Sequence, residues 1–291
     1  MTVCAKENGM TACEKEKAGH VIFIGLDGWG SYSYEKAEMP NVKKLAKEGA
    51  YTLKKRAVLP SSSAVNWASM FMGAGPELHG YTEWGSKTPD LPSRVIAKNN
   101  IFPTIFQLFR DKNPDAEVGC IYDWEGIKYL VDTLSLNYHK QSPDYTVVPE
   151  GLCDMAVKYI TEKKPVFAAI IFDEPDHAGH EDGHDTPGYY ATLARLDGYI
   201  GKIIEAVKKA GFYDETIFIV TSDHGGINKG HGAKTMQEME TPFIISGKNI
   251  KKGLLFDESM MQFDIASTIA CIFELKQPQV WIGRPMTQVF K

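Results

Sequence analysis

HVIFIGLDG, residues 20–28, is a continuous apolar run cut off by an acid and a glycine. A strand with one wet face alternates apolar and polar residues. A run that is apolar at every position reads instead as a strand buried on both faces, the habit of a parallel sheet covered by helices. VFAAIIFDEPDHAGH, residues 166–180, repeats the pattern: the strand expected over 165–172 runs straight into three acids and two histidines. Further strands are expected over 57–59, 117–122, 216–221 and 242–245. Helices are expected over 39–50, where Pro40 opens and Gly49 closes a segment with apolar spacing at Val42, Leu45 and Ala46, and over 64–72, 103–110, 151–162, 189–210 and 264–273. The stripe Leu193, Leu196, Ile200, Ile203, Ile204 and Val207 packs the 189–210 helix on the sheet.

Strands alternating with helices imply an α/β fold with a mostly parallel central sheet flanked by helices on both faces. One domain is expected over 20–291, preceded by a flexible leader over 1–19. Residues 81–149, rich in Pro, Asn, Asp and aromatic side chains, read as a small irregular cap segment or loop insertion above the sheet.

Composition narrows the function. The chain has 291 residues, 43% of them hydrophobic and 24% charged, with a formal net charge of −5. That charge supplies no basic stripe for a nucleic-acid duplex, so any phosphate binding must come from a local site. No apolar run reaches the roughly 18 residues of a membrane span. Residues 1–20 lack the apolar centre of a secretory signal, which leaves two expectations open: a cytoplasmic protein, or an exported one whose signal was removed before residue 1. The five cysteines are scattered and odd in number, without a CxxC pair. This argues against a disulfide framework and a thiolate zinc site, and leaves room for one bridge, Cys4–Cys13 or Cys120–Cys153.

In parallel α/β sheets the chemistry gathers beyond the carboxyl ends of the strands. Asp27, Asp176 with His180, and Asp223 with His224 each follow an apolar strand. Asp176 and His180 are four apart, so one helical turn puts both on one side; His177 and His184 are close enough to compete. SDHGG, residues 222–226, sets an adjacent acid and imidazole against glycines, an arrangement costly to bury without an ion. A second HG follows at His231 and Gly232. Each piece alone also reads as a turn, a cap or a solvated loop. Together they form carboxylate and imidazole sets that suit two divalent metal ions, Zn2+ ahead of Mn2+ or Mg2+. VLPSSSAVNWASMFMG, residues 58–73, runs through three serines into a helix, and a serine there is a candidate nucleophile beside backbone N–H groups able to hold a phosphoryl anion. Asn66, in the first turn, is placed to donate its amide to the same anion. Residue chemistry alone does not choose among Ser61, Ser62 and Ser63.

These residues resemble a known family. DG at 27–28, Ser63 to Asn66 followed by GAGPELHG at 73–80, EPDHAGH at 174–180, SDHGG at 222–226 and GHG at 230–232 occur in the order found in the alkaline phosphatase superfamily. The match looks closest to its type I phosphodiesterase / nucleotide pyrophosphatase branch. TPFIISG, FDIASTIACIF and GRPM resemble that superfamily's closing strand, helix and turn, so the resemblance spans Val21 to about Met286. It implies an alkaline-phosphatase-like fold, one zinc on Asp27, Asp223 and His224 with Ser63 Oγ as exchangeable ligand, and a second on Asp176, His180 and His231. It puts the nucleophile on Ser63 and the phosphate-binding amide on Asn66; His79 lies in the motif without being a ligand. The branch more often has threonine where Ser63 stands and proline where Val65 stands. No arginine that would clamp a terminal phosphate is identifiable, and SSSAVN lacks the Pro and Arg that follow a sulfatase nucleophile.

The expected activity is hydrolysis of a phosphoric diester through a phosphoseryl intermediate. A phosphomonoesterase or phosphomutase-like transferase on the same site is the alternative, and a non-catalytic metal-binding homologue the third reading. The expected substrate is a small phosphate ester, a nucleotide among the candidates, with Tyr81, Trp84, Tyr122 and Trp124 available to stack a base or to pack the cap. A monomer or homodimer is expected.

Overall fold

The computed structural model describes residues 17–144 and 148–291. In chain order it contains β1 (His20–Asp27), α1 (Pro40–Glu48), β2 (Ala50–Arg56), α2 (Ser63–Met72), α3 (Pro76–His79), α4 (Ile105–Lys112), β3 (Val118–Tyr122), β4 (Tyr138–Gln141) and α5 (Gly151–Lys163). There follow β5 (Phe167–Pro175), α6 (Asp176–Asp182), α7 (Pro187–Lys209), β6 (Thr216–Thr221), α8 (Met236–Met239), β7 (Glu240–Gly247), β8 (Leu254–Leu255) and α9 (Asp264–Ile272). The strands form an 8-stranded sheet in the order β4-β3-β5-β1-β6-β7-β2-β8. β1 pairs in parallel with both β5 and β6, while β7 runs antiparallel to β6 and β2. The expected α/β fold with a mostly parallel sheet is the one observed.

The unbroken apolar run of β1 is explained by its place at the centre. Val21 and Phe23 face the core built with α2, α4 and α9; Ile22, Ile24 and Leu26 face the core built with α1, α5 and α7. The α7 stripe from Leu193 to Val207 is buried in the second of these cores. Each such side chain taken out of water contributes about 1.5–3 kcal/mol. Among the described residues no helix is long and apolar enough to cross a membrane.

Several expectations are corrected. Residues 57–59 are not a strand: pairing with β7 is made by β2, which begins right after Gly49 closes α1, so the α1 helix stops at Glu48. β2 was hidden because its register shifts between Thr52 and Lys55, which breaks the alternation and turns Lys55 inward. Residues 81–149 are not a separate cap. They carry α4, β3 and β4, and both strands extend the main sheet. Cys120 and Cys153 are free buried thiols, so no bridge joins them, while Cys271 is disulfide-bonded. Residues 1–16 of the expected leader, with the Cys4–Cys13 bridge, lie outside the described residues.

Candidate metal centre

The strand order sets β5, β1 and β6 side by side, so the acids that end them converge. Asp27 closes β1, Asp176 opens α6 directly after β5, and Asp223 and His224 follow β6. Two neighbouring clusters result. Oxygen atoms of Asp27 and Asp176 and a nitrogen of His224 lie within 4.8 Å of one another, and so do donor atoms of Asp176, His180 and His231. Asp223 joins the first cluster, its Oδ2 3.3 Å from His224 Nε2. The helical turn expected between Asp176 and His180 is formed by α6, with Nε2 and Oδ2 3.1 Å apart.

Local backbone geometry makes the approach possible. Gly28 has φ +71°, and a Cβ there would stand 2.6 Å from the Asp176 carboxylate. Only glycine lets Asp27 and Asp176 come this close, and the Gly28 N–H donates to Asp223 Oδ1 at 3.1 Å. Asp27 Oδ2 accepts from the Trp67 indole N–H at 2.9 Å, and that ring reaches under β1 because Gly25 has no side chain.

Ser63, the first residue of α2, points its Oγ at this centre, 3.2 Å from His224 Nε2 and 3.5 Å from Asp27 Oδ1. The other two serines do different work. Ser61 accepts from the Gly232 N–H through Oγ and from His231 Nδ1 through its carbonyl, fixing the His231 loop. Ser62 is the N-cap residue of α2, makes no side-chain cap bond, and lines a neighbouring cavity. Geometry therefore separates three serines that residue chemistry left equivalent.

Asn66 lies in the first turn of α2, as expected, with its amide bonded to backbone. Its Oδ1 accepts from the Val58 N–H at 2.8 Å, and its Nδ2 donates to the carbonyls of Pro60 and Ser62 at 3.1 and 3.0 Å. With donors and acceptor engaged on backbone, the amide ties the turn that carries the serines. Of the competing histidines, His177 pairs with Glu181, while His184 sits behind Asp176 with its Nε2 3.7 Å from Oδ1. The aromatic expectation narrows to one residue. Tyr81 and Tyr122 are buried and Trp124 packs on the core, whereas Trp84 is 67% exposed beside the centre.

Three observations fit this donor set to divalent cations. First, His180, His224 and His231 each set Nδ1 against a backbone carbonyl, of Lys229, Gly225 and Ser61 respectively. A carbonyl only accepts, so each Nδ1 carries the hydrogen and each Nε2 turns inward, the arrangement that outer hydrogen bonds impose on metal-bound histidines. Second, Asp176 Oδ1 and Asp223 Oδ2 are buried polar atoms without a hydrogen-bond partner. Third, the carboxylates are too close to stay charged alone. Two charges at the 4.8 Å limit of the cluster repel by on the order of 3 kcal/mol at an effective dielectric of 20, more than a typical net hydrogen bond returns.

The acid–base properties carry the same signature. Burial, reinforced by the fields of Asp223 and Asp176, pushes Asp27 well above the usual carboxylate range. Burial also lifts Asp223, to about 8. For Asp176 burial acts upward too, but the His180 hydrogen bond and the neighbouring imidazoles outweigh it and hold the group low. The bond to Asp176 raises His180 to about 9, whereas burial lowers His224 to about 3. A proton between His180 and Asp176 thus stands where a cation's charge would act.

Sequence reasoning missed the groups behind the ligands. Lys55 is fully buried and donates to the Ser222 carbonyl at 2.8 Å and to Gln262 Oε1, and the Gln262 amide in turn donates to the carbonyls of Ser222 and Asp223. Ser222 Oγ accepts from the Trp29 N–H at 2.8 Å. A lysine in KKR carries no sign of burial; only the register shift in β2 selects it over Lys54.

Residues 21–241 match the family model described as type I phosphodiesterase / nucleotide pyrophosphatase. Among curated proteins, the chain is 25% identical over 234 residues to venom phosphodiesterase 2 of Crotalus adamanteus, covering 76% of this chain and 28% of that one. It is 23% identical over 221 residues to bis(5'-adenosyl)-triphosphatase enpp4 of Mus musculus, covering 72% and 47%. The chain thus spans less than half the length of these relatives. Among solved structures, an inactive variant of murine ectonucleotide pyrophosphatase / phosphodiesterase 5 in complex with AMP superposes with a TM-score of 0.76 at 16% identity, covering 95% of this chain and 100% of that one. A 2-O GAG sulfatase superposes with a TM-score of 0.76 at 14% identity, covering 93% and 73%. At such identities the superpositions speak for the fold alone.

Proposed function

Because the chain belongs to the type I phosphodiesterase / nucleotide pyrophosphatase family, we propose that it is a hydrolase of phosphoric diesters, working at a two-cation centre with Ser63 as nucleophile. The observation that carries this reading is the position of Ser63 Oγ, 3.2 Å from His224 Nε2 at the edge of a buried carboxylate cluster. Asp27, Asp223 and His224 would hold one divalent ion and Asp176, His180 and His231 the other, with zinc favoured by the three imidazoles. Bound there, such ions supply Lewis-acid charge that lowers the pKa of a nearby hydroxyl and neutralises phosphoryl oxygens.

The chain's own groups do the rest. Trp67 and the Gly28 N–H fix the carboxylates of Asp27 and Asp223. The start of α2 sets Ser63 Oγ beside His224 and Asp27, where it would meet the phosphorus of a bound ester. Loss of the Ser63 proton to solvent gives an alkoxide. As its Oγ forms the new bond to phosphorus, the bond from phosphorus to the leaving oxygen breaks, and the departing alcohol takes up a proton. Water then attacks from the vacated side, the Oγ–P bond breaks, and Ser63 regains its proton as a phosphomonoester leaves.

Asn66, engaged on backbone, ties the turn that presents Ser63. Diesters are favoured over monoesters because, among the described residues, no lysine or arginine lines the cavity beside the centre to clamp a second phosphate charge. Rates on a chromogenic diester and monoester, measured on one zinc-loaded preparation, test the reading. A diester preference supports it. A preference of more than tenfold for the monoester moves the assignment to phosphomonoesterase, and no turnover of either favours a non-catalytic homologue.

A further inference from the structure

His231 differs from the other imidazoles of the centre in what carries it. His180 stands on α6 and His224 follows β6 by three residues, whereas residues 231–235 lie outside the helices and strands, and Ala233, Lys234 and Thr235 are exposed. A ligand on a loop is placed well only if other groups lock that loop. Its own contacts are the Ser61 carbonyl at Nδ1 and, at 3.6 Å from Nε2, the Asp176 carboxylate.

The lock closes on the peptide groups of Ala233. The Ala233 carbonyl accepts from Ser61 Oγ, and the Ala233 N–H donates to Glu238 Oε1 at 2.9 Å. Glu238 is only 1% exposed. Its second oxygen, Oε2, accepts from the Thr235 N–H at 3.1 Å and from the Thr235 hydroxyl, closing a capping box at the start of α8. The box accounts for Oε2 alone. Oε1 reaches past it, into the loop that carries His231. Burial acts upward on this carboxyl, but the bonds from Thr235 and Ala233 outweigh it and hold the group below its ordinary range.

The backbone of α8 is in turn keyed to the rest of the centre. The Glu238 carbonyl accepts from the Gly225 N–H at 2.8 Å, one residue beyond His224, and the Met239 carbonyl accepts from the Ala57 N–H at 2.8 Å. The approach depends on Gly225, where a Cβ would stand 2.1 Å from the Gln237 carbonyl oxygen. One residue thus reaches the His231 loop through its carboxylate and the His224 turn through its carbonyl.

We propose that Glu238 is a positioning residue for the Asp176, His180 and His231 set: acting through the Ala233 N–H, it fixes the loop that turns His231 towards Asp176. This rests on the two-cation reading of the centre and deepens it by naming what holds the ligand carried on a loop.

Zinc content per chain, measured after equilibrium dialysis against a series of fixed free-zinc concentrations, tests the proposal without recourse to activity. The unsubstituted protein is expected to take up two ions. Glu238→Gln keeps the size of the side chain and can still close a capping box, but one carboxylate acceptor becomes a donor. It should need about tenfold more free zinc to take up the second ion, the lower end of the range for groups that support metal ligands, with uptake of the first unchanged. Glu238→Asp, which withdraws the carboxylate by one methylene, should shift the second ion in the same direction. Thr235→Val removes the exposed cap hydroxyl but leaves the Ala233 N–H its partner, so uptake of both ions should stay near the parent's. Diester turnover of Glu238→Gln should return once free zinc is high enough to fill the second position, a recovery that a merely loosened fold would not show. Unchanged uptake in both Glu238 variants, an equal shift of both ions, or the same shift in Thr235→Val overturns the proposal and leaves the two-cation reading standing. An unsubstituted protein that takes up fewer than two ions overturns that reading, and the proposal with it.

Discussion

The two halves of the centre share Asp176 at their border but are built in opposite ways. In the half next to Ser63, the side chains of Asp27, Asp223 and His224 are 3%, 0% and 0% exposed. In the other half, His180 is 46% exposed and His231 and Asp176 11% and 12%. The buried half is held by groups deep in the fold: Trp67 from α2, the Gly28 N–H after β1, and Lys55 with Gln262 behind the Ser222–Asp223 backbone. The open half is held by carbonyls of surface loops, Lys229 and Ser61, and faces the Trp84 cavity. On the proposed reading, the enclosed half would fix charge beside Ser63, and the accessible half would be where the leaving group and water exchange.

Ser63→Ala should have the largest effect. Turnover of a diester should fall by on the order of 10⁴-fold or more, while metal content stays at the parent level. Rates near the parent value would show that the hydroxyl is not the nucleophile. Next comes a direct contrast of the halves. Asp223→Asn and His180→Ala should each lower turnover by about 10²-fold or more, and only Asp223→Asn should also lower the melting temperature of the zinc-loaded protein by several degrees, because only it disturbs fully buried supports. Equal thermal effects in the two variants would erase the distinction.

His184 sharpens the border between the halves. Its ring is enclosed, with Gly179 and Gly226 packed against it, and its Nε2 faces Asp176 Oδ1 at 3.7 Å. His184→Leu, which replaces the ring behind the Asp176 carboxylate with an apolar side chain, should weaken zinc binding by about tenfold to a hundredfold, the range for groups that support a metal ligand, and His184→Gln should restore part of it. Equal binding in both variants would leave His184 a packing residue.

The smallest effect is in the pH dependence of stability. Asp223 is raised from its ordinary 3.8 to about 8, so the metal-free fold keeps a proton there that the unfolded chain releases, and stability is lost as pH rises towards 8. His180 is raised from 6.5 to about 9, and its contribution likewise falls as pH climbs through that interval. His224, lowered to about 3, is neutral in both states above its ordinary 6.5 and adds nothing there. Between about pH 6.5 and 8 the chelated protein should therefore lose roughly 2–4 °C of melting temperature per pH unit, while added zinc, which replaces these protons, should stabilise more at the upper end. A chelated protein whose melting point rises over this interval would contradict the charge assignment.

How much of this was legible in the sequence depends on how local each signal is. The β1 run and the α7 stripe are patterns within one element, and both led to the observed structure. The Asp176–His180 pair needed only one helical turn. The β2 register shift, the burial of Lys55 and the strand role of residues 138–141 depend on pairings between distant segments, which no local period encodes. The partners of Asn66 were hidden for a related reason: it lies in the first turn of α2 as expected, but the turn after β2 folds back and engages its amide. The serines could be told apart only once the His231 loop was in place to occupy Ser61.

Anomalous diffraction from crystals of the zinc-loaded protein would test the centre most directly. Two peaks are predicted, one bounded by Asp27, Asp223, His224 and Ser63 Oγ and the other by Asp176, His180 and His231. A single peak, or zinc held away from Ser63, would contradict the two-cation account.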